Sequence, residues 1–172
     1  NACDPAAAAF EMGFQPHLPQ DYTAFLCEPT IGSYDPNDKT GYPGGLDSQN
    51  YIFPNLEMDY RIRFQNTGTD TAIFVYIIDT LPLNLDLGTL RMGAASHPYT
   101  WELLPVDTLT GQHALRIGFN PIYLPDSTTN PAASQGYVYY HIRQNPDLPN
   151  GEKIRNAASI YFDYNAPIRT NT

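Results

Sequence analysis

The chain has 172 residues, 42% of them apolar, enough to fill the core of one large domain or of a domain with an extension. Only 16% are charged and the net charge is −9, with nine Lys and Arg in all and no basic run, which excludes a nucleic-acid interface and disfavours an anionic membrane surface. Sixteen prolines and 13 tyrosines suit short strands and many turns rather than helices, and no apolar run is long enough to span a membrane.

Residues 1–31 differ in composition from the rest. A short alanine run, Ala6 to Ala9, precedes Phe10, Met12 and Phe14, and Pro16, Pro19 and Pro29 follow. Four alanines cannot hold a helix alone, so the segment reads as an extended arm, or as the end of a preceding segment. Cys3 and Cys27 both lie in it. An even pair in a Tyr-, Asn- and Thr-rich chain points to a disulfide pinning the arm, and such a loop stabilises by roughly 3 kcal/mol; two free thiols in a reducing compartment are the alternative. The chain begins at Asn1 with no signal peptide, which implies a processed form or a piece of something longer.

From residue 32 onward strand signals are dense. Leu56 to Phe64 alternates polar and apolar, burying Met58, Tyr60, Ile62 and Phe64. Asn66 to Asp70 is a turn. Ala72 to Ile78 is a continuous apolar run, hence a central strand, closed by Asp79-Thr80-Leu81-Pro82. Further strands are predicted over 87–92, 114–119, 137–142 and 157–164. About seven or more strands separated by Gly, Pro and Asn turns give an all-β sandwich over residues 32–172.

Six segments then carry a signature: GSYDPNDK from Gly32, YRIRFQNTGTDTA from Tyr60, DTLPLNLDL from Asp79, SHPYTW from Ser96, LPDSTTNPAASQGYV from Leu124 and NAASIYFDYNAPIRTNT from Asn156. In this order they resemble a module near the C-termini of large secreted proteins of Bacteroidota exported by type IX secretion. The strand–NTG–strand–DTLP pattern also resembles bacterial surface repeat domains of immunoglobulin-like fold. The resemblance implies an extracellular, cell-surface location and an immunoglobulin-like sandwich. Members of the module usually continue into a sorting domain that is removed after export, and this chain stops where that linker would begin.

No catalytic frame is present. His17, His97, His113 and His141 are scattered and none sits in a metal-protease or nucleophile-elbow pattern. Gly44-Gly45 lies in a proline-flanked turn, not a phosphate loop. The chain is therefore expected not to be an enzyme. Asp35, Asn37, Asp38, Asp163 and Asn165 offer hard oxygen donors from the two ends of the domain, a set suited to calcium. The same residues also suit Asx-turns that bond local backbone. A third reading is an intramolecular isopeptide bond of the kind surface β-domains of other bacteria form, from a first-strand Lys to a last-strand Asn beside a buried acid. Lys39, Asn165 and Asp59 (or Glu57) fit by order, although Asp59 and Glu57 fall on the polar face of their strand.

Trp101 beside Tyr99 would stack on sugars if exposed, or pack across strands if not. Thr71, Thr80, Thr108 and Ser127 each follow an Asp, which resembles the O-glycosylation motif of Bacteroidota; Ser127, in a turn-rich loop, fits best. The functional expectation is a non-catalytic extracellular module of an adhesin, stalk or fibre, its partners other copies of itself or neighbouring surface-protein domains. The rival is an accessory carbohydrate-binding domain of a secreted enzyme, with glycan as partner. Neither involves nucleic acid or membrane insertion.

Overall fold

A computed structural model describes residues 36–46 and 50–172. The expected arm over 1–31, its Cys3–Cys27 disulfide and Asp35 lie outside the described residues. Among the described residues there is no helix, so none is long and apolar enough to cross a membrane.

Among the described residues, nine strands form two antiparallel sheets, packed as an immunoglobulin-like sandwich. In chain order they are β1 (Asp38–Tyr42), β2 (Glu57–Gln65), β3 (Val75–Thr80), β4 (Leu85–Ala95), β5 (Thr100–Asp107), β6 (Gln112–Phe119), β7 (Gln135–Gln144), β8 (Ala158–Phe162) and β9 (Ile168–Arg169). The first sheet runs β1-β2-β7-β4 and the second β5-β6-β3-β8-β9.

The alternation read from the sequence decides which side chains meet between the sheets. Met58, Tyr60, Ile62 and Phe64 of β2 point inward, opposite Val138, Tyr140 and Ile142 of β7. Val75 and Ile77 of β3, Leu115, Ile117 and Phe119 of β6, and Ala158, Ile160 and Phe162 of β8 supply the other half. One end of the core is phenylalanine-rich: Phe64 contacts Phe119 at 5.2 Å and Phe162 at 6.3 Å between ring centroids. The other end carries Tyr60 stacked on Tyr140 at 5.1 Å.

Two strands differ from the sequence expectation. The central strand is shifted to Val75–Thr80, because Ala72 pairs with Leu124 instead and the Ile73 and Phe74 N–H groups donate to Asp163. Asp79 therefore continues the ladder, opposite Leu115 and Ala158, rather than closing a turn. β5 carries Pro105, whose missing N–H marks a strand break in sequence. As the edge of its sheet, β5 loses no ladder bond on its open side, and a bulge follows between Pro105 and Asp107.

Gly136 fixes how closely β7 approaches the phenylalanine end. A Cβ there would lie 2.3 Å from Phe64 Cζ, whereas one at Gly44 would meet nothing within 4 Å. Gly136→Ala is expected to cost about 1–3 kcal/mol through overpacking, and Gly44→Ala to leave stability almost unchanged. Denaturant titration checks this; equal midpoints for the two variants would contradict the packing described.

Candidate functional site

The tyrosine end of the core holds a charged cluster. Lys39 lies on β1 in register with Ile62, and its side chain runs inward between the sheets, 2% exposed. Gly41, two residues on, opens the space: a Cβ there would stand 3.1 Å from Tyr60 Cε1. The ammonium sits 4.5 Å above the Tyr60 ring and 5.3 Å from that of Tyr140, where the π faces favour a cation.

From the opposite sheet, β3 contributes Asp79, with a fully buried side chain. Lys39 Nζ donates to Asp79 Oδ2 and, at 2.8 Å, to the Tyr140 hydroxyl. That hydroxyl in turn donates to Asp79 Oδ2 at 2.7 Å. Asn156, just before β8, donates its Nδ2 to the same hydroxyl at 3.1 Å. Lys39, Asp79 and Asn156 thus meet around one phenolic oxygen. Asp79 Oδ1 and Asn156 Oδ1 are buried with no partner among the described residues.

Burial works against the charge here. Desolvation pulls the Lys39 amine down to about 8, although the adjacent Asp79 carboxylate and its hydrogen bond oppose that shift. Desolvation also pushes the Tyr60 phenol up to about 12, and Tyr140 well above its ordinary value, with Asp79 adding in each case. Both phenols stay neutral. The result is an amine that gives up its proton more readily than a surface lysine.

The backbone around Lys39 is fastened too. Its N–H donates to Asn171 Oδ1 and its carbonyl accepts from Asn171 Nδ2, both at 2.9 Å, so one side-chain amide acts as a strand partner on the open edge of β1. Thr170 bonds Ala158 of β8 in both directions, backbone N–H to carbonyl and hydroxyl from N–H. The segment after β9 therefore ties β1 of the first sheet to β8 of the second.

Only Lys39 among the sequence-predicted site residues belongs to this cluster. Asp59 lies on the outer face of β2, bonded to His141, and Asn165 is exposed beyond β8, so the isopeptide set Lys39, Asn165 and Asp59 is not assembled. Of the oxygen donors proposed for calcium, Asp35 lies outside the described residues, Asn165 is exposed, and Asn37, Asp38 and Asp163 bond protein groups. Asn37 Oδ1 accepts the Gln65 N–H, Asp38 pairs with Arg63 through both oxygens at 2.7 and 2.6 Å, and Asp163 Oδ1 accepts two backbone N–H groups.

Among the described residues, the acidic and histidine side chains that do converge are Glu57, Asp59 and His141, and Arg91 and Arg143 already pair with Glu57. Of the candidate glycan positions, Thr71, Thr80 and Thr108 are exposed. Ser127 is half-buried, beside an Asp126 that turns inward to accept from Thr128 and Thr129. Tyr99 packs against Phe119 and donates to the Gly93 carbonyl, so it forms no platform with Trp101.

The missed members had a signal. Asp79 shares parity with Val75 and Ile77, and Asn156 with Ala158, Ile160 and Phe162, so simple continuation of each alternating strand places both inside. Removing one partner of a buried pair strands the other. Asp79→Ala is expected to cost at least about 3–5 kcal/mol, read as a fall in the guanidinium midpoint; a loss below about 1 kcal/mol would show that the cluster is not part of the core's stability.

No curated protein sequence matches the chain. Among solved structures, the N-terminal domain of the Streptococcus gordonii adhesin Sgo0707 is similar, with a TM-score of 0.52 and 17% identity over 80% of this chain. This chain spans 31% of the length of that structure, and the likeness is one of fold. The collagen-binding domain of a Staphylococcus aureus adhesin aligns more loosely, at a TM-score of 0.43 and 13% identity over 81% of this chain and 96% of that one. The family model described as a domain of unknown function, DUF7619, matches residues 35–172, the whole of the sandwich, and the chain belongs to that family.

Proposed function

We propose that this chain is a non-catalytic structural module of a bacterial cell-surface protein, acting outside the cell through contacts with other copies of itself or with neighbouring domains. The observation that carries the reading is the fastening at Lys39. Its backbone is held by Asn171 and its side chain by Asp79 of the other sheet, so tension at either end of the sandwich meets the same residue. A domain that transmits force needs its terminal strands locked to each other, whereas a domain built for chemistry needs an open site. The fold shared with an adhesin domain supports the reading, as does the signature resembling type IX-secreted modules of Bacteroidota. The arm over residues 1–31 is proposed as the connector between copies.

Large exposed rings and aliphatics offer contact surface: Tyr42 at the end of β1 and Leu46, Tyr51 and Phe53 in the segment that follows. A second reading has an observation of its own. Trp101, 47% exposed, and Tyr76 line a shallow hollow on the second sheet with Glu102, Arg116 and Asn120, a mixture of rings and polar groups that suits a sugar. Arg116 stands 4.6 Å from the centroid of the Tyr76 ring and covers part of it.

Electron microscopy of the purified full chain, and of a chain lacking residues 1–28, separates these. Ordered assemblies that vanish on truncation, while the sandwich keeps its melting temperature, are expected. Monomers in both samples, together with retention of the full chain on a glycan array that Trp101→Ala abolishes, would overturn the structural reading in favour of the carbohydrate-binding one.

A further inference from the structure

We propose that Lys39 and Asn156 become joined by an intramolecular isopeptide bond, with Asp79 carrying the proton. Three groups of the right chemistry share one water-excluded pocket. Lys39 supplies a primary amine, Asn156 a carboxamide and Asp79 a carboxylate, and each hydrogen-bonds the Tyr140 hydroxyl. All three are buried, so nothing exchanges them with solvent. An acid–amine pair alone would be a structural salt bridge. The buried amide beside it, with its oxygen bare, adds the electrophile such a bridge does not need.

The step balances without any other reactant. Asp79 takes a proton from the Lys39 ammonium, leaving a neutral amine; burial already favours that loss. The Nζ lone pair attacks Cγ of Asn156. Asp79, now an acid, polarises the amide and delivers its proton to Nδ2. The Cγ–Nδ2 bond breaks and ammonia leaves; the second Nζ proton passes to Asp79, so an Nζ–Cγ amide remains beside a neutral carboxylic acid. No electrons are exchanged and no cofactor is required. Fixed geometry takes the place of high concentration, converting a sluggish aminolysis into an intramolecular reaction. Tyr60 and Tyr140 keep water from the pocket, so hydrolysis does not compete.

The bond would cross the sandwich, from β1 of one sheet to the strand entry of β8 in the other. It would also close the chain from residue 39 to residue 156, so that tension passing between the ends would bypass most of the domain. The inference goes beyond the proposed function and does not depend on which partner the module meets.

The test is the mass of the full chain, measured after reduction so that a disulfide does not contribute. A deficit of one ammonia is expected, with trypsin failing to cut after Lys39 and a branched peptide joining the segments that contain Lys39 and Asn156. Asn156→Ala and Lys39→Arg should each restore the calculated mass. A second readout uses pH. In Asn156→Ala the amine is free and titrates lower in the folded state than in the unfolded state. Below about 8 both states are protonated; between about 8 and the ordinary lysine value of 10.5 the unfolded chain binds more protons, so stability rises with pH. Tyr60, with a folded value of about 12, reverses the trend above 10, where the unfolded phenol ionises first. The wild-type chain, its amine consumed, should lack the rise between 8 and 10. Folded wild-type protein of full calculated mass would overturn the proposal. So would a deficit that maps to a cyclic imide at Asn150-Gly151.

Discussion

An ammonium group removed from water costs several kcal/mol even after the surroundings relax, and much of this sandwich is arranged around meeting that cost at Lys39. Asp79 faces it from the other sheet, Tyr60 and Tyr140 present their ring faces, and the Tyr140 hydroxyl links it to Asn156. Each partner comes from a different strand or strand entry, which requires β1, β2, β3, β7 and β8 to be in register at once. A one-residue slip of β1, β3 or β7 would turn Lys39, Asp79 or Tyr140 outward and break the pairing at Lys39. The cluster thereby specifies the pairing of the two sheets, which apolar packing specifies less sharply, since Val, Ile and Leu accept one another's positions.

The rest of the fold divides around that point. At the far end of the core, Phe64, Phe119 and Phe162 pack without polar atoms, and Gly136 lets the strands close on them. At the Lys39 end, the segment after β9 returns so that Asn171 completes the edge of β1 and Thr170 brackets Ala158. Edge strands invite pairing with other chains; here part of one edge is occupied by the chain's own tail. The outer faces carry ion pairs such as Arg116–Glu102, worth little each because water screens them. Stability and order are set inside; contact with other molecules is left to exposed groups such as Trp101 and Tyr42.

Much of this is readable from alternation alone. The nine residues from Leu56 to Phe64 name the inward face of β2 without ambiguity, and the continuous run through Val75 names the central strand, because period-two burial is a property of the backbone. Two features are harder to see. β5 is hidden by Pro105, since only its place at the sheet edge makes that proline tolerable. The site is hidden because Asp79 and Asn156 are residue types that usually mark turns, and Asp79 sits where the sequence reading closes the central strand. The long-range pairing of Lys39 with residues 40 and 101 positions away follows from topology, which no local pattern carries. The bonding of the oxygen-rich ends of the domain is hidden for a related reason. Asp38 and Asp163 are donor-satisfied by Arg63 and backbone N–H groups, and sequence records the acceptors but not which donors fold against them.

A bond between Lys39 and Asn156 would lock β1 to the entry of β8 and shield the interior of the domain from load. Stretching single molecules from residues 36 and 172 measures this directly, because the length released on unfolding counts the residues free to extend. The account predicts that only the segments outside residues 39–156 extend. Release of the full length between the pulling points would contradict it.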